Sequence, residues 1–125
     1  MKFKTMMIIK AVVCLGFGLA LLFLPDFLYG IFGASLNDGG RFAAREYAAA
    51  MFGILMITWF GRNALESDLR RAVILGLTLY DGIGVVISVI AVLAGVMSAL
   101  GWLVVVLYLF LAVGFGYFLV KPPKP

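Results

Sequence analysis

Residues 72–94, AVILGLTLYDGIGVVISVIAVLA, decide the fold. Asp81 is the only charged residue in the stretch, and the rest is dominated by Val, Ile, Leu and Gly. At about 1.5 Å of rise per residue, a helix of this length crosses a hydrocarbon core of about 30 Å. In water so apolar a helix would have to be buried on every side. The chain has 125 residues, too few to build that shell, and 65% of them are hydrophobic. Soluble domains hold roughly 45–50%.

Working outward, residues 5–24, 41–60 and 99–120 give three more stretches of membrane-crossing length. The reading is all-α: a polytopic membrane protein whose four transmembrane helices form one bundle, with 1–125 as a single transmembrane domain. Four spans and their connections use nearly the whole chain, which leaves no room for a soluble catalytic domain.

The connections carry local signals. Pro25 cannot continue a helical hydrogen-bond ladder but suits the first turn of a new helix. The first span is therefore expected to break there, with a short interfacial helix over 25–33 whose aromatics suit the headgroup boundary. Asn37-Asp38-Gly39-Gly40 reads as a turn and Gly61 as a C-cap. Asn63 and Glu66 have capping-box spacing, so a helix is expected to restart there, with Glu66 and Arg70 paired one turn apart. Ser98 is the expected N-cap of the fourth span. The tail from Lys121 to Pro125 has polyproline character.

Charge sets the orientation. Of the ten Lys and Arg, eight (Lys2, Lys4, Lys10, Arg62, Arg70, Arg71, Lys121, Lys124) fall on one side of the proposed spans, against Arg41 and Arg45 on the other. Positive charge in short loops favours the cytoplasm. Both termini are expected there, in a bacterial inner (plasma) membrane. The imbalance argues against an antiparallel dual-topology dimer. The net charge of +4 flanks apolar runs, so the expected partners are membrane lipids, with anionic headgroups at the cytoplasmic face, and not nucleic acid. A second copy or another membrane protein is a further expected partner. No small-x-small cleavage site follows the first apolar run, so removal of a leader is not expected. Cys14 is the only cysteine and there is no histidine, which removes intrachain disulfides and the commonest general base.

Asp81 is the candidate functional residue. A carboxylate near the membrane midplane costs at least about 2.5 kcal/mol and usually faces a bundle interior or a water-filled cavity. Thr78, Gly84 and Ser88 share its helical face. Tyr80 and Tyr108 lie deep enough that their hydroxyls need partners. Lys10 either meets Asp81 or snorkels to the surface, and snorkelling is the expected outcome. A protonated Asp81 donating a hydrogen bond to Thr78 or to a backbone carbonyl is the structural alternative to a proton relay, ion site or ligand contact. A second set, Asp26, Asp38, Arg41, Arg45 and Glu46, forms a charge cluster at the opposite face, either an anion or headgroup site centred on Arg45 or a self-neutralising cluster. Trp59, Trp102, Tyr117 and Phe118 are expected as belt anchors. Gly16, Gly18, Ala49, Gly53, Gly76, Gly84, Gly114 and Gly116 are expected at helix contacts. No nucleophile–base pair, phosphate loop or metal spacing appears, so no cofactor and no metal is expected.

The segment Leu24-Pro25-Asp26-Phe27-Leu28-Tyr29, the Ala44-Arg45-Glu46-Tyr47-Ala48 opening of the second span, a Gly-rich third span and an Ala99-Leu100-Gly101-Trp102 start to the fourth together resemble small bacterial four-span membrane proteins, the DoxX-like group and related uncharacterised families. The resemblance implies architecture more than a reaction. The expected function is that of an accessory, assembly, lipid-binding or partner-binding membrane protein and not an enzyme. The alternative is a small oligomeric carrier or channel using Asp81.

Overall fold

The computed structural model describes residues 2–121, and they form helices α1 (Phe3–Phe23), α2 (Pro25–Ile31), α3 (Asp38–Gly61), α4 (Asp68–Leu93) and α5 (Gly101–Val120). The tail from Pro122, with Lys124, lies outside the described residues.

Leu24 departs from helical geometry at φ −135° and ψ 52°, and its N–H closes α1 on the Ala20 carbonyl. A residue before proline is pushed out of the α region, and Pro25 then opens α2 at a position that needs no N–H. Helix α2 ends on Gly33, at φ +76°, where the Ala34 N–H reaches back to Tyr29 O and the Gly33 N–H to Gly30 O. Helix α4 ends in the same way on Gly95, at φ +78°, through Val96 to Ala91 and Gly95 to Val92. Both are Schellman motifs, which need a left-handed residue at that point.

Several expected caps move. Asn37 is an N-cap, not part of a turn: its side chain accepts from the Gly40 N–H, and α3 begins at Asp38. Helix α4 starts from Ser67, whose side chain accepts from Arg70 N–H, so Asn63 and Glu66 precede the helix and form no capping box. Gly61 is still helical and Arg62 is the C-cap. Ser98 caps nothing with its side chain. Its backbone N–H instead donates to Phe32 O at 2.6 Å, tying the α4–α5 turn to the end of α2.

The long helices pair as two antiparallel hairpins, α1 with α3 and α4 with α5. In the first, Gly18 lies against Phe52 and Gly61 against Met7. In the second, Arg71 donates to Leu119 O while Gly101 lies under Val92. The hairpins are clamped together at the end that holds the first and last described residues. There Phe3, Met6, Met7, Ile74, Leu77, Leu111, Phe115 and Phe118 form one buried cluster. A second cluster, Cys14, Leu21, Ala44, Ala48 and Met51, joins α1 to α3 only. Toward α2 the hairpins therefore lack a shared core.

Three helices, α1, α4 and α5, are long and apolar enough to cross a membrane. The outward stripe of α4 (Leu75, Leu79, Val86, Ile90) and that of α5 (Leu103, Val106, Phe110, Val113) are exposed. The inward side of α4 instead carries Asp81 and Ser88, both buried. Apolar outside and polar inside is the arrangement of a chain solvated by lipid. Helix α3 has the length but not the composition, because Asp38, Arg41, Arg45 and Glu46 occupy its opening turns. Phe118 is not a belt anchor: it is 8% exposed and meets Phe3 edge-on. Gly16, Gly53 and Gly76 face open space and make no helix contact. Ala49 is exposed as well.

Candidate functional site

Helix α1 buries a stripe of Phe3, Met6, Met7, Lys10 and Cys14. Lys10 sits within this stripe, so its stem has no path to the surface. The expected snorkelling does not occur. The ammonium is 1% exposed and donates to Asp81 Oδ1 at 2.6 Å, while Asp81 is 0% exposed. Burying two ions costs several kcal/mol each before their attraction is counted, and here each supplies the other's counter-charge. Lys10 Nζ also lies 4.4 Å from the centroid of the Tyr80 ring, a cation–π geometry. Asp81 Oδ2 has no hydrogen-bond partner among the described residues.

Beside the ion pair, three tyrosines from three helices converge. Tyr80 Oη donates to Tyr47 Oη at 2.6 Å, and Tyr47 Oη shares a hydrogen bond with Tyr108 Oη at 2.5 Å. Gly84 permits this, since a Cβ there would run into the Tyr108 ring. The sequence reading placed Tyr80 and Tyr108 at depth but did not include Tyr47. The available signal was position: Tyr47 and Tyr108 each lie about two turns or a little more in from the start of α3 and α5, and both of those helices begin at the α2 end.

Thr78 and Ser88 take no part in this network. Thr78 Oγ1 donates to Ile74 O at 2.8 Å and Ser88 Oγ to Gly84 O at 2.6 Å, each within its own helix. No Asp81–Thr78 hydrogen bond forms among these contacts: Asp81 Oδ1 accepts from Lys10 instead, and Oδ2 has no partner among the described residues.

From this polar group a cavity of about 440 Å³ runs between the hairpins toward α2. Lys10, Tyr47, Tyr80 and Tyr108 line one end. Phe17, Leu21, Leu28, Phe32, Ala91, Val96 and Met97 line the remainder. Its volume lies within the range of about 300–1,000 Å³ usual for ligand pockets. The cavity exists because the second apolar cluster bridges α1 and α3 alone. The turn held by Ser98 and Phe32 lies across its far end.

The opposite-face charges gather on Arg41, not Arg45. Arg41 Nε meets Asp26 Oδ2 at 2.8 Å and its Nη1 meets Asp38 Oδ1 at 2.9 Å. Arg45 turns away to the Leu22 carbonyl in the last turn of α1, where a cation offsets the helix dipole. Glu46 is exposed. Arg41 is neutralised by two carboxylates, and the cluster presents no converging cations. At the other end, Lys2, Glu66, Arg70 and Lys121 line a surface depression together with Phe3, Leu65 and Phe118. Arg70 stacks 3.8 Å from the Phe3 centroid and donates to Ala64 O.

Comparison with known proteins finds no matching family model, no matching curated protein and no matching solved structure.

Proposed function

We propose that this chain is a four-span membrane protein that binds an apolar-tailed molecule between its two helix hairpins, as an accessory or lipid-binding protein and not as an enzyme. The observation that carries this reading is the cavity of about 440 Å³, apolar along most of its wall and polar at one end. Left unfilled, a cleft of this size costs its lining side chains packing contacts, and an occupant restores them. Helix α3 serves as the fourth span in this reading. It is about 36 Å long at the usual rise, and it lies along α1 throughout. Its early charges are largely paired near the α2 end. The same reading puts Lys2, Lys4, Arg70, Arg71 and Lys121 on the cytoplasmic side of a bacterial inner membrane, against anionic headgroups. The DoxX-like resemblance is consistent with it at the level of architecture.

The test is native mass spectrometry of the protein released from its own membranes. Wild type should retain an apolar species that Ala91→Trp, which fills the cavity, loses. Identical spectra from both proteins would remove the proposal. Reporter fusions at Asn37 and Asn63 test the fourth span, and should report opposite sides.

The buried Lys10–Asp81 pair favours a second reading, a carrier in which Asp81 titrates or coordinates. In proteoliposomes, Asp81→Asn should then abolish pH-driven flux. Background flux in both wild type and variant would eliminate the carrier.

A further inference from the structure

The wall of the cavity identifies the kind of head its occupant carries. A hydroxyl has one proton to donate. Tyr47, Tyr80 and Tyr108 together have three, and two of them are used in the hydrogen bonds that join the hydroxyls. Tyr80 donates to Tyr47. If Tyr47 donates to Tyr108, the Tyr108 proton is left over. If Tyr108 donates to Tyr47, the Tyr47 proton is left over. Either way one O–H is unspent, and its tyrosine lines the cavity. No carboxylate or backbone carbonyl among the described residues accepts it. Lys10 adds to this surplus. Its ammonium carries three N–H donors, one is given to Asp81 Oδ1, and the side chain lines the same end of the cavity. Of the other polar residues that line the cavity, Ser88 has already given its proton to Gly84 O, and Tyr29, on α2, belongs to the far wall and makes no hydrogen bond to the three tyrosines.

We infer that the cavity takes a neutral amphiphile whose small head is a hydrogen-bond acceptor, a carbonyl group of the ketone or ester class, seated against Tyr47, Tyr108 and Lys10. Its apolar tail runs toward α2. The inference rests on the proposal that the cavity holds a ligand, and adds the chemistry of its head. Neutrality follows from the ion pair: Lys10 is already balanced by Asp81, so an anionic head would bring an uncompensated charge into a low-dielectric site. Polarity of the cavity excludes a phospholipid lying as it does in a leaflet. Such a lipid keeps its head at the surface and its tails at the centre. Here Lys10 and the three joined tyrosines lie about two to four turns inside the helices, and the largely apolar remainder of the wall, with Tyr29 in it, approaches their termini.

The experiment is equilibrium binding of three labelled probes to the protein in nanodiscs: methyl laurate, dodecane and laurate. Methyl laurate should bind at least about fivefold more tightly than dodecane, the worth of one modest hydrogen bond, and more tightly than laurate. Its ester carbonyl stretch, isotope-labelled and read by infrared difference spectroscopy, should move to lower frequency on binding. Proton counting makes a sharper demand. A row of two joined hydroxyls still has one proton over, so Tyr80→Phe should keep the carbonyl shift. Tyr47→Phe/Tyr80→Phe/Tyr108→Phe should lower the preference for ester over alkane and weaken the shift, and its undiminished dodecane binding serves as the control for folding. Equal binding of ester and alkane with no carbonyl shift would overturn the acceptor head while leaving a ligand cavity in place. Tighter binding of laurate would overturn its neutrality. Failure of every probe to bind wild type, together with no co-purified species sensitive to Ala91→Trp, would overturn the ligand cavity itself.

Discussion

Lys10 and Asp81 show how a single position acquires meaning only from its neighbours. The acid was legible from its place in an apolar run, because a carboxylate at that depth demands an explanation. The lysine was not, because a long basic side chain near a helix end has an ordinary alternative in snorkelling. Burial of Lys10 follows from Met6, Met7 and Cys14 on its own helix face, which is a property of packing. Removing one partner of a buried pair strands the other as an unpaired ion. Lys10→Met or Asp81→Leu should therefore each destabilise the protein, Lys10→Met by about 3–5 kcal/mol. The double variant Lys10→Met/Asp81→Leu should recover most of the loss, as read by unfolding in detergent. Additive losses in the double variant would show that the two residues are not coupled. Gly84→Ala places a methyl group against the Tyr108 ring and should cost about 1–3 kcal/mol as overpacking. The same change at Gly53, which meets nothing, should leave the melting temperature nearly unchanged. Cys14 is 0% exposed, so maleimide should label it far more slowly in the folded protein than after denaturation.

Elements were more legible than their ends. Long apolar stretches named the principal helices, since length and composition alone determine whether a helix can cross a bilayer. Caps depended on competition between nearby candidates. Asn63 and Ser67 both suit an N-cap, and Ser67 prevails by accepting from Arg70 N–H. Ser67→Ala should cost about 0.5–2 kcal/mol, whereas Asn63→Ala should cost little. Equal effects in a thermal melt would contradict this placement. The two left-handed glycines illustrate a related limit. Gly33 and Gly95 end α2 and α4 by the same motif, and one could suspect each from its sequence. Nothing in the sequence links them, yet the Ser98 N–H to Phe32 O hydrogen bond brings their turns together across the cavity.

At the scale of the whole molecule, the cavity arises from an asymmetry between its two ends. Side chains from α1, α4 and α5 meet in one core at the terminal end, while the core nearer α2 joins α1 to α3 alone. A variant that closes the gap, such as Ala91→Trp, should raise thermal stability of the delipidated protein as it eliminates bound ligand, because the new ring supplies contacts the empty walls lack. A fall in stability would mean that the space is already filled by side-chain rearrangement. The amino-acid sequence by itself determined that the chain is helical, that α1, α4 and α5 are apolar enough for lipid, and that Asp81 is out of place in hydrocarbon. Those properties are summed along the chain, so no partner need be known. Tertiary structure alone decided that Lys10 neutralises Asp81, that Tyr47 joins Tyr80 to Tyr108, and that a cavity opens beside them. Each depends on distances between helices that are remote in sequence, and on which side chains fail to fill the space between.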